Sequence, residues 1–172
     1  MNKTQKAPLL SIILPTLNEE QAIEKVLTEI NQIHLPSKEI LIVDGCSTDN
    51  TINIAKKFDI KVIIEPKRGY GNAILEGMKL AKGKIIVIMD SDYTYPAHYI
   101  PNLINPIIEN KADLVLGNRL KNIKLESMNF LHLFGNKFLT LTFNILYSSK
   151  IQDTQTGFRA FKKIIFKKLN IK

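Results

Sequence analysis

Two carboxylates, Asp90 and Asp92, stand one residue apart at the end of the run IIVIMDSD, residues 85–92. The apolar part is short and rich in β-branched side chains, the pattern of a strand buried on both faces. Open α/β sheets bind ligands in the loops at the carboxyl ends of such strands. Two carboxylates held there are costly unless something cationic joins them. A divalent cation carrying a diphosphate meets that need; an N-capping Asp beside a loop Asp is the plain alternative. Two more polar loops follow apolar runs: PTLNEE at 15–20 and DGCSTDNT at 44–51. With DSDYTYP at 90–96 they fall on one edge of a parallel sheet and converge on one ligand. Asp44 ends a buried run, where it can accept hydrogen bonds from a base N–H or ribose hydroxyls, or cap the turn at Gly45. Asn18 and Glu19 are equally suited to starting a helix.

These loops need a scaffold, and the hydrophobic periodicity supplies one. Residues 9–14, 39–43, 61–65, 85–89 and 113–117 read as strands. Residues 19–33, 48–58, 72–81 and 98–110 read as helices, the last interrupted by Pro101 and Pro106. Ala22, Ile23, Val26, Leu27 and Ile30 make one apolar face of the first helix. Ser47 or Thr48 suits the cap of the second, and Gly83 the close of the third. Strands alternating with helices predict a mostly parallel, doubly wound α/β sheet.

With 172 residues, one domain spanning 1–172 is expected. A net charge of +8 points to an anionic partner. Nucleic acid would explain the charge but not the carboxylate loops. The lone Cys46 excludes an internal disulfide and suits a reducing compartment. No secretory signal is expected at the amino end, and no apolar stretch reaches the ~20 residues of a spanning helix. Residues 128–147 are apolar except for a narrow stripe of Asn136, Thr140 and Asn144, which suits a packed helix or one lying at a membrane or partner surface. Residues 161–172 read as a basic amphipathic helix, with Phe161, Ile164, Ile165 and Leu169 on one face.

Seven blocks, in order, carry a resemblance: SIILPTLNEE (11–20), EILIVDGCSTDNT (39–51), RGYGNAILEGMKLAKG (68–83), MDSDYTYP (89–96), LVLGNR (114–119), GNKFLT (135–140) and DTQTGFRAF (153–161). Together they resemble the inverting nucleotide-sugar glycosyltransferases of family 2, which have the GT-A fold. The polyprenyl-phosphate (dolichol-phosphate) sugar synthases are the nearest kind. The resemblance implies a nucleotide-sugar and metal half over 9–119 and an acceptor half over 120–172. Pro15, Leu17, Asn18, Glu19, Asp44, Gly69, Gly71, Asn72, Asp90 and Ser91 would hold the nucleotide sugar. Asp90 and Asp92 would hold Mg²⁺ or Mn²⁺ on its diphosphate. Asp92, Arg119, Asp153 and Arg159 would serve catalysis, and Thr156, Gly157 and Arg159 the acceptor phosphate. Gly45 stands where many relatives carry a second Asp, and Thr94 where many carry Gln. Relatives also continue beyond GFRAF, so a carboxyl-terminally short chain is implied.

Under this resemblance a hexose passes from a UDP- or GDP-sugar to polyprenyl or dolichyl phosphate, at a membrane surface on its cytoplasmic side, the protein being peripheral. A phosphate monoester, with a second pKa of about 6, is already an anionic nucleophile at neutral pH. A sugar hydroxyl would need a carboxylate base, for which Asp153 is the candidate. A same-fold enzyme acting on a glycan hydroxyl, and a nucleotide-sugar-binding protein with little activity, are the alternatives. A dinucleotide-binding dehydrogenase is disfavoured, because RGYGNA lacks the third glycine and does not follow the first strand.

Overall fold

The computed structural model describes residues 7–117, 130–148 and 151–169. Six strands form one sheet: β1 (Leu10–Thr16), β2 (Lys38–Asp44), β3 (Lys61–Ile64), β4 (Ile85–Ile88), β5 (Leu114–Leu116) and β6 (Arg159–Lys162). Their spatial order is β3-β2-β1-β4-β6-β5. The first four run parallel, as expected of buried β-branched runs joined by helices. β6 inserts antiparallel between β4 and β5.

Helices cover both faces. α1 (Ile23–Gln32) and α4 (Ile100–Ile108) share a core with Leu10, Ile12 and Leu14, while α3 (Tyr70–Leu80) packs Ala73 and Met78 against Ile13, Leu41 and Val43. α2 (Thr51–Ala55), α5 (Phe130–Tyr147) and α6 (Lys163–Leu169) complete the set. Successive strand residues point to opposite faces, so β1 feeds both cores.

Several helices are shorter than the sequence pattern suggests. α1 begins at Ile23 rather than 19, because the Glu19 and Glu20 amides donate across to Thr51 and Asp49. α2 begins at Thr51, and its N-cap Asn50 makes no side-chain cap bond; the Ser47 hydroxyl is committed to Asp44 instead. The proline-interrupted stretch is resolved into a 3₁₀ turn over Ala97–Tyr99 followed by α4, with Pro101 in its first turn, where no amide is needed. The tail is not one helix: Phe161 lies in β6 and α6 starts at Lys163.

Gly83 closes α3 by contact rather than by a left-handed turn. Its amide donates to Ser11 Oγ at 2.7 Å, and Ser11 Oγ in turn donates to Glu39 Oε1 at 2.6 Å. A Cβ on Gly83 would lie 2.5 Å from Ser11 N and 2.7 Å from Leu10 C. The α3–β4 connection is thereby pressed onto the start of β1, which fixes where β4 and its carboxylates emerge.

α5 reverses the usual helix polarity. Thr140 and Asn144, from its polar stripe, face the protein: Thr140 Oγ1 lies 3.0 Å from Thr154 Oγ1, and Asn144 donates to the Ile151 carbonyl at 2.7 Å. Leu139, Leu141, Phe143, Ile145 and Leu146 are exposed. Of the two settings the pattern suits, packed or surface, the exposure of these five residues fits the surface one. Thr140 and Asn144 bond inward because the segment 151–154 presents backbone and hydroxyl groups there. No helix among the described residues is long and apolar enough to cross a membrane.

Candidate functional site

β1 and β2 end level, Thr16 opposite Asp44, and β4 ends beside them at Ile88, opposite Ile13. The three loops that leave these ends each contain one non-glycine residue in the left-handed region: Asn18 (φ 55°), Cys46 (φ 68°) and Tyr93 (φ 64°). Such residues are uncommon outside Asn and Asp, and cluster where surrounding structure enforces them.

Reciprocal hydrogen bonds do the enforcing. The first loop is laced to the second: Asn18 N donates to Ser47 Oγ at 2.8 Å, Thr48 N to Asn18 Oδ1 at 2.8 Å, and Asn50 N to Glu20 Oε2 at 2.9 Å. The third loop is tied to β1 and α1. Ser91 Oγ donates to the Pro15 carbonyl at 2.8 Å, Lys25 Nζ sits 3.7 Å over the Tyr93 ring, and the Ala97 amide donates to Glu29.

Between these loops lies an open cleft of about 1380 Å³. Pro15, Leu17, Asn18 and Glu19 line it from the first loop, and Asp90, Ser91 and Asp92 from the third. Gly69 lines it at the start of α3, and Gly157 and Arg159 line it beside the third loop. The predicted donor and acceptor groups thus share one cavity.

Other predicted residues sit elsewhere. Asp44 is fully buried and does not line the cleft; it accepts Ser47 N at 2.8 Å and Ser47 Oγ at 2.5 Å, holding the turn whose Gly45 and Cys46 do line it. Gly71 and Asn72 are not lining residues, and the Asn72 amide donates back to the Arg68 carbonyl. Asp153 and Thr156 are buried behind the wall. Asp153 Oδ1 accepts the Gln155 amide, while the Tyr95 hydroxyl meets Thr156 Oγ1 at 3.2 Å and the Gly157 amide at 3.1 Å. Arg119 lies outside the described residues.

The electrostatics are uneven. Burial, then the charges of Asp92, Asp49 and Asp90, hold the Glu19 carboxyl above its ordinary range. Arg159, beside Ile88 of β4, donates through Nη2 to the Thr156 carbonyl. Its Nε is buried and finds no acceptor among the described residues.

The carboxylate side calls for a cation. Asp90 and Asp92 offer hard oxygen ligands of the kind Mg²⁺ and Mn²⁺ prefer. Asp92 Oδ1 also accepts the Thr94 amide at 2.8 Å, which sets its orientation. No group of three His, Cys, Asp or Glu gathers for a metal among the described residues. Two carboxylates alone leave an ion most of its ligand positions for phosphate oxygens and water, so they fit an ion brought with a diphosphate.

The site also contains a residue that motif reading passed over. Tyr70, the first residue of α3, reaches across the cleft, and its hydroxyl donates to Asp90 Oδ1 at 2.7 Å. In the sequence it stands within RGYGN, between Gly69 and Gly71.

The family model for "Glycosyl transferase family 2" matches residues 11–169. A dolichyl-phosphate hexose transferase from Haloferax volcanii is 34% identical over 154 residues, covering 90% of this chain and 66% of the relative. A dolichol-phosphate mannosyltransferase from Pyrococcus furiosus is 32% identical over 163 residues, covering 90% and 46%. The chain therefore spans between about half and two thirds of these relatives' lengths. Glucosyl-3-phosphoglycerate synthase from Mycobacterium tuberculosis, solved with Mn²⁺ and UDP-glucose, superposes with a TM-score of 0.71 at 24% identity, covering 92% of this chain and 57% of that one.

Proposed function

The chain belongs to glycosyltransferase family 2 and has the GT-A fold, and from that premise we propose that it moves a hexose from a UDP- or GDP-sugar to polyprenyl or dolichyl phosphate with inversion. The observation that carries this reading is one cleft lined by both signs of charge: Asp90 and Asp92 from the loop after β4, and Arg159 from the neighbouring strand β6. The similarity to enzymes named for dolichyl and dolichol phosphate supports the acceptor class.

The donor would lie along Pro15–Asn18 and the 45–48 turn, its diphosphate near Asp90 and Asp92. A bound Mg²⁺ or Mn²⁺ would stabilise charge on the leaving nucleoside diphosphate. Arg159 would hold the acceptor phosphate by a guanidinium fork. Its positive charge lowers the repulsion between two anions brought to one sugar carbon. Attack by the acceptor oxygen on that carbon, from the side opposite the diphosphate, transfers the sugar with inversion. No proton need be removed from a phosphate monoester dianion.

The glycan-hydroxyl alternative needs a base. Asp153, the candidate, is 1% exposed and lies behind the cleft wall, which favours the phosphate acceptor. A binding protein with little turnover is the remaining alternative. It would show nucleotide affinity without transfer of sugar to a short polyprenyl phosphate.

Asp92→Ala is expected to abolish Mn²⁺-dependent binding of UDP or GDP while leaving the melting temperature of the free protein within a few degrees. A thermal-shift panel with and without Mn²⁺ reads this directly. Ligand at about 100 times its Kd adds about 2.7 kcal/mol to stability. Binding by the variant equal to that of the parent would remove Asp92 from the metal site.

A lipid acceptor also needs a surface to be met at. The exposed apolar side of α5 suits the interfacial region of a bilayer, and we place the protein peripherally at the cytoplasmic membrane face. Lys162, by contrast, pairs with Ile85 at the sheet edge opposite the cleft, so α6 departs from the far end. Leu141→Ser with Ile145→Ser is expected to cut co-sedimentation with anionic vesicles at least tenfold, since each buried leucine or isoleucine contributes about 1.5–3 kcal/mol. Equal sedimentation of parent and double variant would exclude α5 from the contact.

A further inference from the structure

We infer that Tyr70 is a positioning residue for the Asp90 carboxylate, fixing it from the donor side of the cleft while Gly157 fixes it from the other side. The inference rests on the metal–diphosphate reading of the site and adds a residue to it.

The geometry begins with the backbone. Gly69, the N-cap of α3, has φ 120° and ψ 138°, a conformation that L side chains rarely adopt. Tyr70, the first helical residue after it, lines the cleft. Tyr70 is half-exposed, so the ring is not anchored by burial in a core. Its hydroxyl is anchored instead, donating to Asp90 Oδ1 at 2.7 Å. Arg159 stands opposite Ile88 in the β4–β6 pairing, two residues before Asp90.

The opposite side of the carboxylate is occupied by backbone. A Cβ built on Gly157 would overlap Asp90 Oδ2. Asp90 is therefore clamped between a phenol from the segment at 68–72 and the glycine of the segment at 153–159. A carboxylate that shares an ion with a mobile diphosphate gains from such a clamp. Fewer torsions remain to be frozen when the ion arrives, and the lone pairs aimed at the ion are set in advance. Groups that hold a ligand in this way are worth about 10–100-fold in metal affinity.

Tyr70→Phe removes the hydroxyl and keeps the ring. The test titrates Mn²⁺ at fixed UDP or GDP into the full chain and into the variant. It also measures nucleotide binding without metal and the melting temperature. A roughly tenfold rise in the Mn²⁺ concentration for half-maximal binding is expected, with metal-free nucleotide affinity and melting temperature unchanged. A general loss of local structure would weaken metal-free binding as well, and that result would overturn the inference. An unchanged Mn²⁺ midpoint in the variant would overturn it too, while leaving the proposed function standing. Absence of Mn²⁺-dependent nucleotide binding in the parent chain would overturn both.

Discussion

Gly157→Ala is expected to abolish sugar transfer and to weaken Mn²⁺-dependent nucleotide binding by two orders of magnitude or more, in a protein that still folds. The added methyl group would occupy the space of Asp90 Oδ2. The obstacle is the end of the Asp90 side chain, so relieving it turns away the very carboxylate that the Tyr70 hydroxyl holds. Asp90 sits directly beyond β4, and Gly157 is held by its amide, which the Tyr95 hydroxyl binds at 3.1 Å. Tyr95 is itself 6% exposed and stacks on Phe158 with ring centroids 5.2 Å apart. Either the carboxylate rotates out of the cleft or the acceptor-side wall moves. Both outcomes separate groups that must lie within a few ångströms of one sugar carbon, and each 1.36 kcal/mol added to the barrier costs tenfold in rate. Circular dichroism would report a native fold, and transfer to a short polyprenyl phosphate would report the loss. Transfer within threefold of the parent would show that Asp90 has room the structure does not provide.

Gly83→Ala is expected to be the most destabilising single methyl addition, by about 2–4 kcal/mol, the range of overpacking and lost buried hydrogen bonds combined. Its Cβ would meet main-chain atoms of Leu10 and Ser11 in the central strand β1, at 2.5–2.7 Å. Backbone in the middle of a sheet cannot withdraw without breaking pairings on both sides, to β2 and to β4. Moving Gly83 instead would strip Ser11 Oγ of the amide that now donates to it. Chemical denaturation measures the cost. A midpoint unchanged from the parent would show that the α3–β4 connection yields freely.

Much of this fold is legible in the sequence because burial on both faces leaves little choice of residue. β4 is an unbroken β-branched run, and β1 and β2 carry the apolar runs IIL and ILIV, so the pattern places each strand within two residues of its ends. The polar loops after them are legible for the same reason: an abrupt change to Asn, Asp and Glu after a buried strand has few other causes. β6 escaped notice. RAFK is four residues long, and the basic amphipathic run that follows it carries a stronger periodic signal. The left-handed turns at Cys46 and Tyr93 were hidden as well, since neither residue favours that conformation and long-range hydrogen bonds impose it. At the candidate site, residue type indicated where charge gathers but not which side chains face the cavity. Asp44, Asp153 and Thr156 are polar and sit within the motifs, yet are spent on internal hydrogen bonds. Such assignments depend on side-chain rotamers and neighbours distant in the chain, which spacing does not encode.

The insertion of β6 has a consequence for the order in which the chain can assemble. Among the described residues β5 pairs with β6 alone, and β4 is paired on one side only until β6 joins it. As the chain emerges from the ribosome, β1 to β4 can pair with one another as soon as residue 88 is free. The outer edge of β4 stays open until Arg159–Lys162 has been synthesised, and β5 waits unpaired beside it. An open, wholly apolar edge of this kind is a template for another chain. Of the described strands the last to arrive is also the one that carries Arg159 to the cleft. The pairing of β6 and the arrival of Arg159 beside the carboxylates are therefore the same event in folding, so a chain made only as far as β5 presents the carboxylates without that arginine.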